Sequence, residues 1–191
     1  MSDVLMFLGS PRKKGNSEVL VEAVSRGIEK AGGTVEKIRV ADLAVAPCIG
    51  CGGCDKTGEC VVKDDMTGLY DKIVAARRII LVSPVYFYSI TAQLKAFVDR
   101  CQALWNRKRL MHEAGPLPEH QDRKGFLVSV AATRGDRVFE GSILVAKYFC
   151  DATGIEYGGE FMVKGIDHRG EMSKHADTLK EAEDFGSKCL E

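Results

Sequence analysis

Apolar positions alternate along this chain between short continuous runs and helical periodicities. Val4 to Leu8 is unbroken and apolar, and it is followed by a pattern that places Leu20, Ala23, Val24, Gly27, Ile28 and Ala31 on one face. The spacing predicts a strand, a loop and a helix that ends near Lys30, where Gly32 and Gly33 supply a cap. Thr34 to Val40 alternates and reads as an edge-like second strand, after which the regular pattern stops from Ala41 to Lys63. Met66, Leu69, Tyr70, Ile73 and Val74 then recur at helical spacing behind Asp64 and Asp65. Arg77 to Ser83 carries Ile79, Ile80, Leu81 and Val82 in a row, the pattern of a strand buried on both faces. Pro84 ends that strand, and a helix follows with Leu94, Phe97, Val98, Cys101, Leu104 and Trp105 on its face.

Asn106 to Lys124 is polar, basic at Arg107-Lys108-Arg109 and broken by Gly115, Pro116 and Pro118, and it reads as a surface excursion, a lid or a subunit contact. Phe126 to Ala132 predicts a fourth strand, Thr133 to Asp136 a polar turn, and Phe139 to Ala152 a helix apolar around its circumference. A fifth strand, Ile155 to Val163, is interrupted at Gly158 and Gly159, and a helix over Ser173 to Cys189 turns Ala176, Leu179, Ala182 and Phe185 inward. Strands that alternate with helices imply a doubly wound α/β fold, a parallel sheet with helices on both faces. All strand C-termini then share one edge, so the loops at 10–17, 41–65, 84–91 and 133–138 are expected to assemble one site.

Composition narrows the class. The 191 residues, 45% of them hydrophobic, suffice for one core, and a single domain over 1–191 is expected. Basic and acidic residues balance at 27 each, which removes the field that would draw nucleic acid or an anionic membrane. The first strand begins too early for a signal peptide and no apolar run reaches membrane-spanning length, so a cytoplasmic protein is expected.

The candidate chemistry lies in three loops. Gly9 to Ser17, between strand and helix, holds Ser10, Arg12, Asn16 and Ser17 where backbone N–H groups and the helix dipole favour a phosphate. The spacing from Gly9 to Gly15 and the Asn16 after it do not match a nucleoside triphosphatase loop, and the dinucleotide fingerprint is absent; a single terminal phosphate fits. The plainer alternative is a turn in which Asn16 or Ser17 merely caps the helix. Pro84, Val85, Tyr86, Phe87 and Tyr88 offer aromatic surface and free backbone groups for a flat ring such as a flavin, with Thr133, Arg134 and Gly135 closing its other side; alternatively, these aromatics belong to the core. Cys48, Cys51, Cys54 and Cys60 have the spacing C-x2-C-x2-C-x5-C within a cysteine-rich loop at 47–60. That run matches the ligands of a cubane iron–sulfur cluster, with zinc or a thiol redox pair as alternatives. Cys101, Cys150 and Cys189 fall on helical faces and are expected to pack as apolar side chains, and the four histidines show no ligand spacing.

Gly-Ser-Pro-Arg-x-x-Gly-Asn-Ser, the cysteine run leading into Lys63-Asp64-Asp65-Met66, Ser83-Pro-Val-Tyr-Phe and Thr91-Ala-Gln-Leu-Lys-Ala-Phe-Val-Asp-Arg100 together resemble the flavodoxin-like NADPH-dependent FMN reductases, specifically the iron–sulfur flavoprotein branch. The resemblance runs from residue 3 to about residue 165. It implies a five-stranded flavodoxin-like sheet and FMN, whose phosphate Ser10, Arg12, Asn16 and Ser17 would hold. Pro84 to Phe87 and Thr133 to Gly135 would border the isoalloxazine. Cys48, Cys51, Cys54 and Cys60 would ligate a [4Fe–4S] cluster. NAD(P)H or a ferredoxin-like carrier would supply electrons, for delivery to a quinone, free flavin or oxygen species, with no side chain acting as acid or base. A homodimer or homotetramer is implied, in keeping with the apolar helix at 139–152. A non-enzymatic flavodoxin-type electron carrier is the rival reading, and the neutral charge speaks against it.

Overall fold

A computed structural model describes residues 2–115 and 122–191. Five strands, β1 (Val4–Leu8), β2 (Val35–Arg39), β3 (Arg78–Pro84), β4 (Lys124–Ala131) and β5 (Glu156–Lys164), form one parallel sheet in the order β2-β1-β3-β4-β5. The helices are α1 (Asn16–Lys30), α2 (Leu69–Ala75), α3 (Ala92–Arg100), α4 (Gln102–Ala114), α5 (Glu140–Thr153) and α6 (Ala176–Lys188). This is the expected flavodoxin-like order, with its reversal between β1 and β3.

The period of two along β1 divides the core. Val4, Met6 and Leu8 pack with Leu20, Val24 and Ile28 of α1 and with Ala182 of α6. Leu5 and Phe7 pack on the other face with Ile73 of α2, Phe97 of α3 and Phe149 of α5. The edge strand β2 is only half-buried, as its alternation requires. In β5 the register slips opposite Gly125 and Phe126, so Tyr157 and Gly159 face consecutive residues of β4 and Gly158 forms the bulge. A side chain there would strike the Phe126 ring, 2.5 Å from the position of a Cβ.

One element differs from expectation. Asn106 to Ala114 is not a loop but the continuation of α4, separated from α3 only by Cys101. Its apolar stripe is narrow, with Ala103, Leu104 and Asn106 the buried positions, so little periodicity shows in the sequence. An Arg109–Glu113 ion pair one turn apart supports the exposed face. The part of the excursion at 116–121, including Pro116, Pro118 and His120, lies outside the described residues.

Helices α1 and α6 cross in backbone contact. A Cβ on Gly27 would lie 1.8 Å from the carbonyl oxygen of Glu183, and one on Gly186 2.1 Å from that of Val24. Backbone cannot yield as a side chain can. Gly27→Ala is therefore expected to destabilise by at least about 1–3 kcal/mol, with a fall in Tm of about 2–4 °C per kcal/mol. Gly68→Ala, which meets nothing within 4 Å, should leave Tm within a degree or two of wild type in the same thermal melt.

Candidate functional site

The loop after β1 and the loop after β3 meet in an open cleft. Ser10, Arg12, Gly15, Asn16 and Ser17 form one wall, Pro84, Val85 and Tyr86 a second, and Val130 and Ala132 the floor. Gly9 admits no side chain, because a Cβ would lie 2.6 Å from Leu94 Cβ and 2.9 Å from the Thr91 hydroxyl. Thr91 Oγ1 donates to the Gly9 carbonyl at 2.6 Å and accepts from Leu94 N, so one hydroxyl anchors the loop and caps α3. The N-cap of α1 is Gly15, and among the described residues no side chain caps this helix, so the N–H groups of Asn16 and Ser17 are left for an anion, while those of Glu18 and Val19 donate to the Gly15 carbonyl. The plainer alternative, a cap by Asn16 or Ser17, is thereby overturned. Ser10 and Ser17 are buried and Arg12 is exposed.

A fourth wall, from the loop after β5, was not anticipated. Ile166, Asp167 and Arg169 line the same cleft. Asn16 ties this wall down: its Nδ2 donates to the His168 carbonyl at 2.9 Å and its Oδ1 accepts from Met172 N at 3.1 Å. Both ends of its carboxamide are thus bonded within the chain. Arg169 Nη2 donates to the Lys13 carbonyl at 2.9 Å, and Glu171 accepts from the N–H groups of Asp167 and His168. The fifth strand is expected to end at Val163, as it nearly does, but the loop after it joins the cleft through bonds to Asn16 that no local spacing encodes.

Tyr86 and Ser89 exchange two backbone hydrogen bonds, of 2.8 and 3.0 Å, around Phe87 and Tyr88. Both central residues have positive φ, 48° and 62°, the backbone of a tight hairpin turn that ordinarily selects glycine or asparagine. Such conformations cost about 1–3 kcal/mol each. The turn is braced against the start of α5, where a Cβ on Gly141 would lie 2.4 Å from the Tyr88 carbonyl oxygen. Ser83 Oγ accepts from Thr91 N and donates to the Pro84 carbonyl, and so closes the base of the segment. None of the three aromatics is core, and Phe87 is fully exposed. Phe87 does not line the cleft, and neither do Thr133, Arg134 and Gly135, which form an exposed turn. Gly135 nevertheless sits beside the Tyr88 hydroxyl, and Arg134 folds against Gly165.

The cysteine loop builds a cavity of its own. Cys48, Cys51, Cys54 and Cys60, all free thiols, line about 240 Å³ together with Gly50, Gly52, Arg100 and Gln102. Among the described residues none lines both this cavity and the cleft, so the single four-loop site expected from the sheet edge divides in two. Helix α3 is the reason. It leaves the cleft at Thr91 and reaches the cysteine loop at Arg100, about 13 Å further on. Gly50 and Gly52, with φ of 65° and 71°, allow the backbone to wrap. Helix α4 holds the loop from outside: Asn106 Nδ2 reaches Cys54 Sγ at 3.2 Å and Asp55 Oδ1 at 3.1 Å, and Arg109 donates to the Asp55 carbonyl.

Arg100 closes the neck of this loop, with its side chain wholly buried. Nη1 donates to the Ala46 carbonyl and to Asp64 Oδ2, and Nη2 to the Val62 carbonyl and Asp64 Oδ1. Asp64 accepts in turn from Ala46 N and Met66 N. Burial alone would raise the Asp64 carboxyl, but Arg100 and these N–H groups outweigh it and hold the acid below its usual range. Burial likewise opposes the Cys60 thiolate, yet the Val62 N–H and the Arg100 charge bring that thiol below its ordinary value. The remaining cysteines behave as expected of packed thiols: burial pushes Cys101 upward and Cys150 and Cys189 up to about 12.

Among the described residues, no three His, Cys, Asp or Glu side chains gather as a site for one ion. A cubane distributes its thiolates over separate irons around a cavity, whereas zinc draws all four to about 2.3 Å from a single point. Four free thiols spread around a cavity of about 240 Å³ suit the former.

These two sites sit on a fold shared with solved flavoenzyme structures. The NAD(P)H:quinone oxidoreductase from Methanothermobacter marburgensis superposes with a TM-score of 0.70 at 16% identity, over 100% of this chain and 98% of its own. An FMN-dependent NADH-azoreductase from Bacillus anthracis, in complex with FMN, gives 0.68 at 15% identity, over 98% and 99%. By sequence, an iron–sulfur flavoprotein of Archaeoglobus fulgidus is 40% identical over 109 residues, 57% of this chain and 50% of that one. The chain spans about half the length of the curated relatives it matches. The family described as NADPH-dependent FMN reductase matches residues 2–148, from β1 through the cysteine loop and into α5, short of the cleft wall at 166–169. The chain belongs to the NADPH-dependent FMN reductase family and groups there with the iron–sulfur flavoproteins.

Proposed function

We propose that this chain is an FMN-dependent oxidoreductase that accepts electrons from NAD(P)H or a reduced carrier and passes them, by way of a [4Fe–4S] cluster, to a quinone, flavin, oxygen species or carrier protein. The observation that carries the reading is the pairing of an uncapped, hydroxyl-lined helix start with a separate cavity walled by four free thiols. In this reading the N–H groups at the start of α1, with Ser10, Ser17 and the Arg12 guanidinium, hold the FMN phosphate. Asn16 acts indirectly, by fixing the loop that carries Asp167 and Arg169 over the cleft. Pro84 to Tyr86 present rigid backbone to the edge of the ring, and the exposed aromatic turn and the turn at 133–135 flank its outer side. Cys48, Cys51, Cys54 and Cys60 hold the cluster. When bound, FMN supplies two-electron and one-electron chemistry and the cluster one-electron chemistry. The chain contributes position, a phosphate anchor and the electrostatics around each group.

We assign the whole chain to a single FMN-binding unit that assembles as a homodimer or homotetramer. Exposed Leu144 and Tyr148, one turn apart on α5, support that assembly. Among the described residues no helix is long and apolar enough to cross a membrane.

Two measurements test this reading. Protein purified without oxygen is expected to carry about four iron, four acid-labile sulfide and one FMN per chain; FMN without iron would reduce the proposal to a simple flavin or quinone reductase, and steady turnover of NAD(P)H with a quinone would remove the electron-carrier alternative. Arg12→Ala removes a charge-assisted contact worth about 1.5–3 kcal/mol, so FMN affinity, followed by quenching of flavin fluorescence, should fall about 10- to 100-fold.

A further inference from the structure

The guanidinium of Arg100 has five N–H donors. Four are spent on the Ala46 and Val62 carbonyls and the two oxygens of Asp64. The fifth, on Nε, is buried without an acceptor. Arg100 lines the cysteine cavity together with Cys48, Cys51, Cys54 and Cys60, and its own carbonyl accepts from the Tyr70 hydroxyl at 3.1 Å. A wholly buried cation at the wall of a cavity lined by four thiols is more than a structural tie, because its charge acts on whatever the thiols hold.

We propose that Arg100 is a positioning residue that tunes the cysteine cavity, its buried charge at the cavity wall making a cluster held by the four thiols easier to reduce. This rests on the cluster assignment above. Reduction adds one electron, from bound flavin or a reduced carrier, and breaks no bond; it makes the thiolate-ligated cluster one unit more negative. A nearby cation favours that state. Asp64 opposes the effect by partly neutralising Arg100. On the α4 side the Asp55 carboxylate, which also lines the cavity, accepts only from the neutral Asn106 amide, while Arg109 binds its main-chain carbonyl; this charge opposes Arg100 too and is the same in every variant below. The two members of the clamp therefore act on the cluster with opposite sign, although both close the same neck.

That opposition separates tuning from mere structure. The midpoint potential of the cluster is read in anaerobic, mediator-buffered titrations followed by electron paramagnetic resonance, with iron and sulfide counted on each sample. Arg100→Gln is expected to shift the one-electron equilibrium about tenfold toward the oxidised cluster, about 59 mV lower. Asp64→Asn should shift it the other way, and Arg100→Lys, which keeps the charge and loses the planar fork, should fall between wild type and Arg100→Gln. If Arg100→Gln fails to hold iron, Asp64→Asn decides alone: a raised potential supports the proposal, and an unchanged or lowered one overturns it. Shifts of the same sign in the Arg100→Gln and Asp64→Asn variants, on iron-loaded protein, overturn the inference and leave the cluster assignment standing. Iron-free wild-type protein overturns both.

Discussion

The Arg100–Asp64 pair is the constraint on which the cysteine-bearing half of the site depends. A 46–64 loop with little secondary structure has no ladder to order it, and its ends must be brought together at an entropic cost that grows with length. The planar guanidinium answers this by bonding both ends at once, to the Ala46 carbonyl on one side and to Val62 and Asp64 on the other. Burying such a pair adds little net stability, yet removing one partner leaves an unpaired buried charge, at a cost of about 3–5 kcal/mol. The clamp therefore acts as a register device. It specifies one loop conformation more than it strengthens the fold.

Helix α3 joins the two halves of the site. Its first turn is capped by Thr91, which also anchors the Gly9 carbonyl of the loop after β1, and its last residue is the Arg100 of the clamp. One rigid element thus fixes the start of the cleft and the wall of the cysteine cavity, at a separation set by helix rise. The geometry between the two places follows from nine residues of helix.

The strained aromatic turn fits the same logic. Phe87 and Tyr88 hold a backbone conformation costly for residues with side chains, and they are exposed, so burial of their rings gives nothing back within the chain. Contacts elsewhere fix them: Ser83 and Thr91 at the base and the closely approaching Gly141 at the start of α5. Strain held at the mouth of a cleft by surrounding structure is consistent with a surface arranged for a ligand.

Hydrophobic periodicity alone determined the alternation of five strands and their helices, because the buried runs at Val4 to Leu8 and Ile79 to Val82 satisfy only a two-sided sheet. The loop positions of Ser10, Arg12 and the four cysteines were equally legible, since glycine, hydroxyl and thiol spacing is local information. The helix at 106–114 was not, because its buried stripe is too narrow to leave a period and its support is an ion pair. Neither was the fourth wall from 166–169, which enters the cleft only through long-range bonds to Asn16. Arg100 stood in the sequence as one more helical residue after an apolar face. Only the tertiary structure decided that it is buried, that it binds carbonyls 38 and 54 residues away, and that it lines the cysteine cavity. Pairings of that kind depend on where the fold returns the chain, and no spacing along it encodes them.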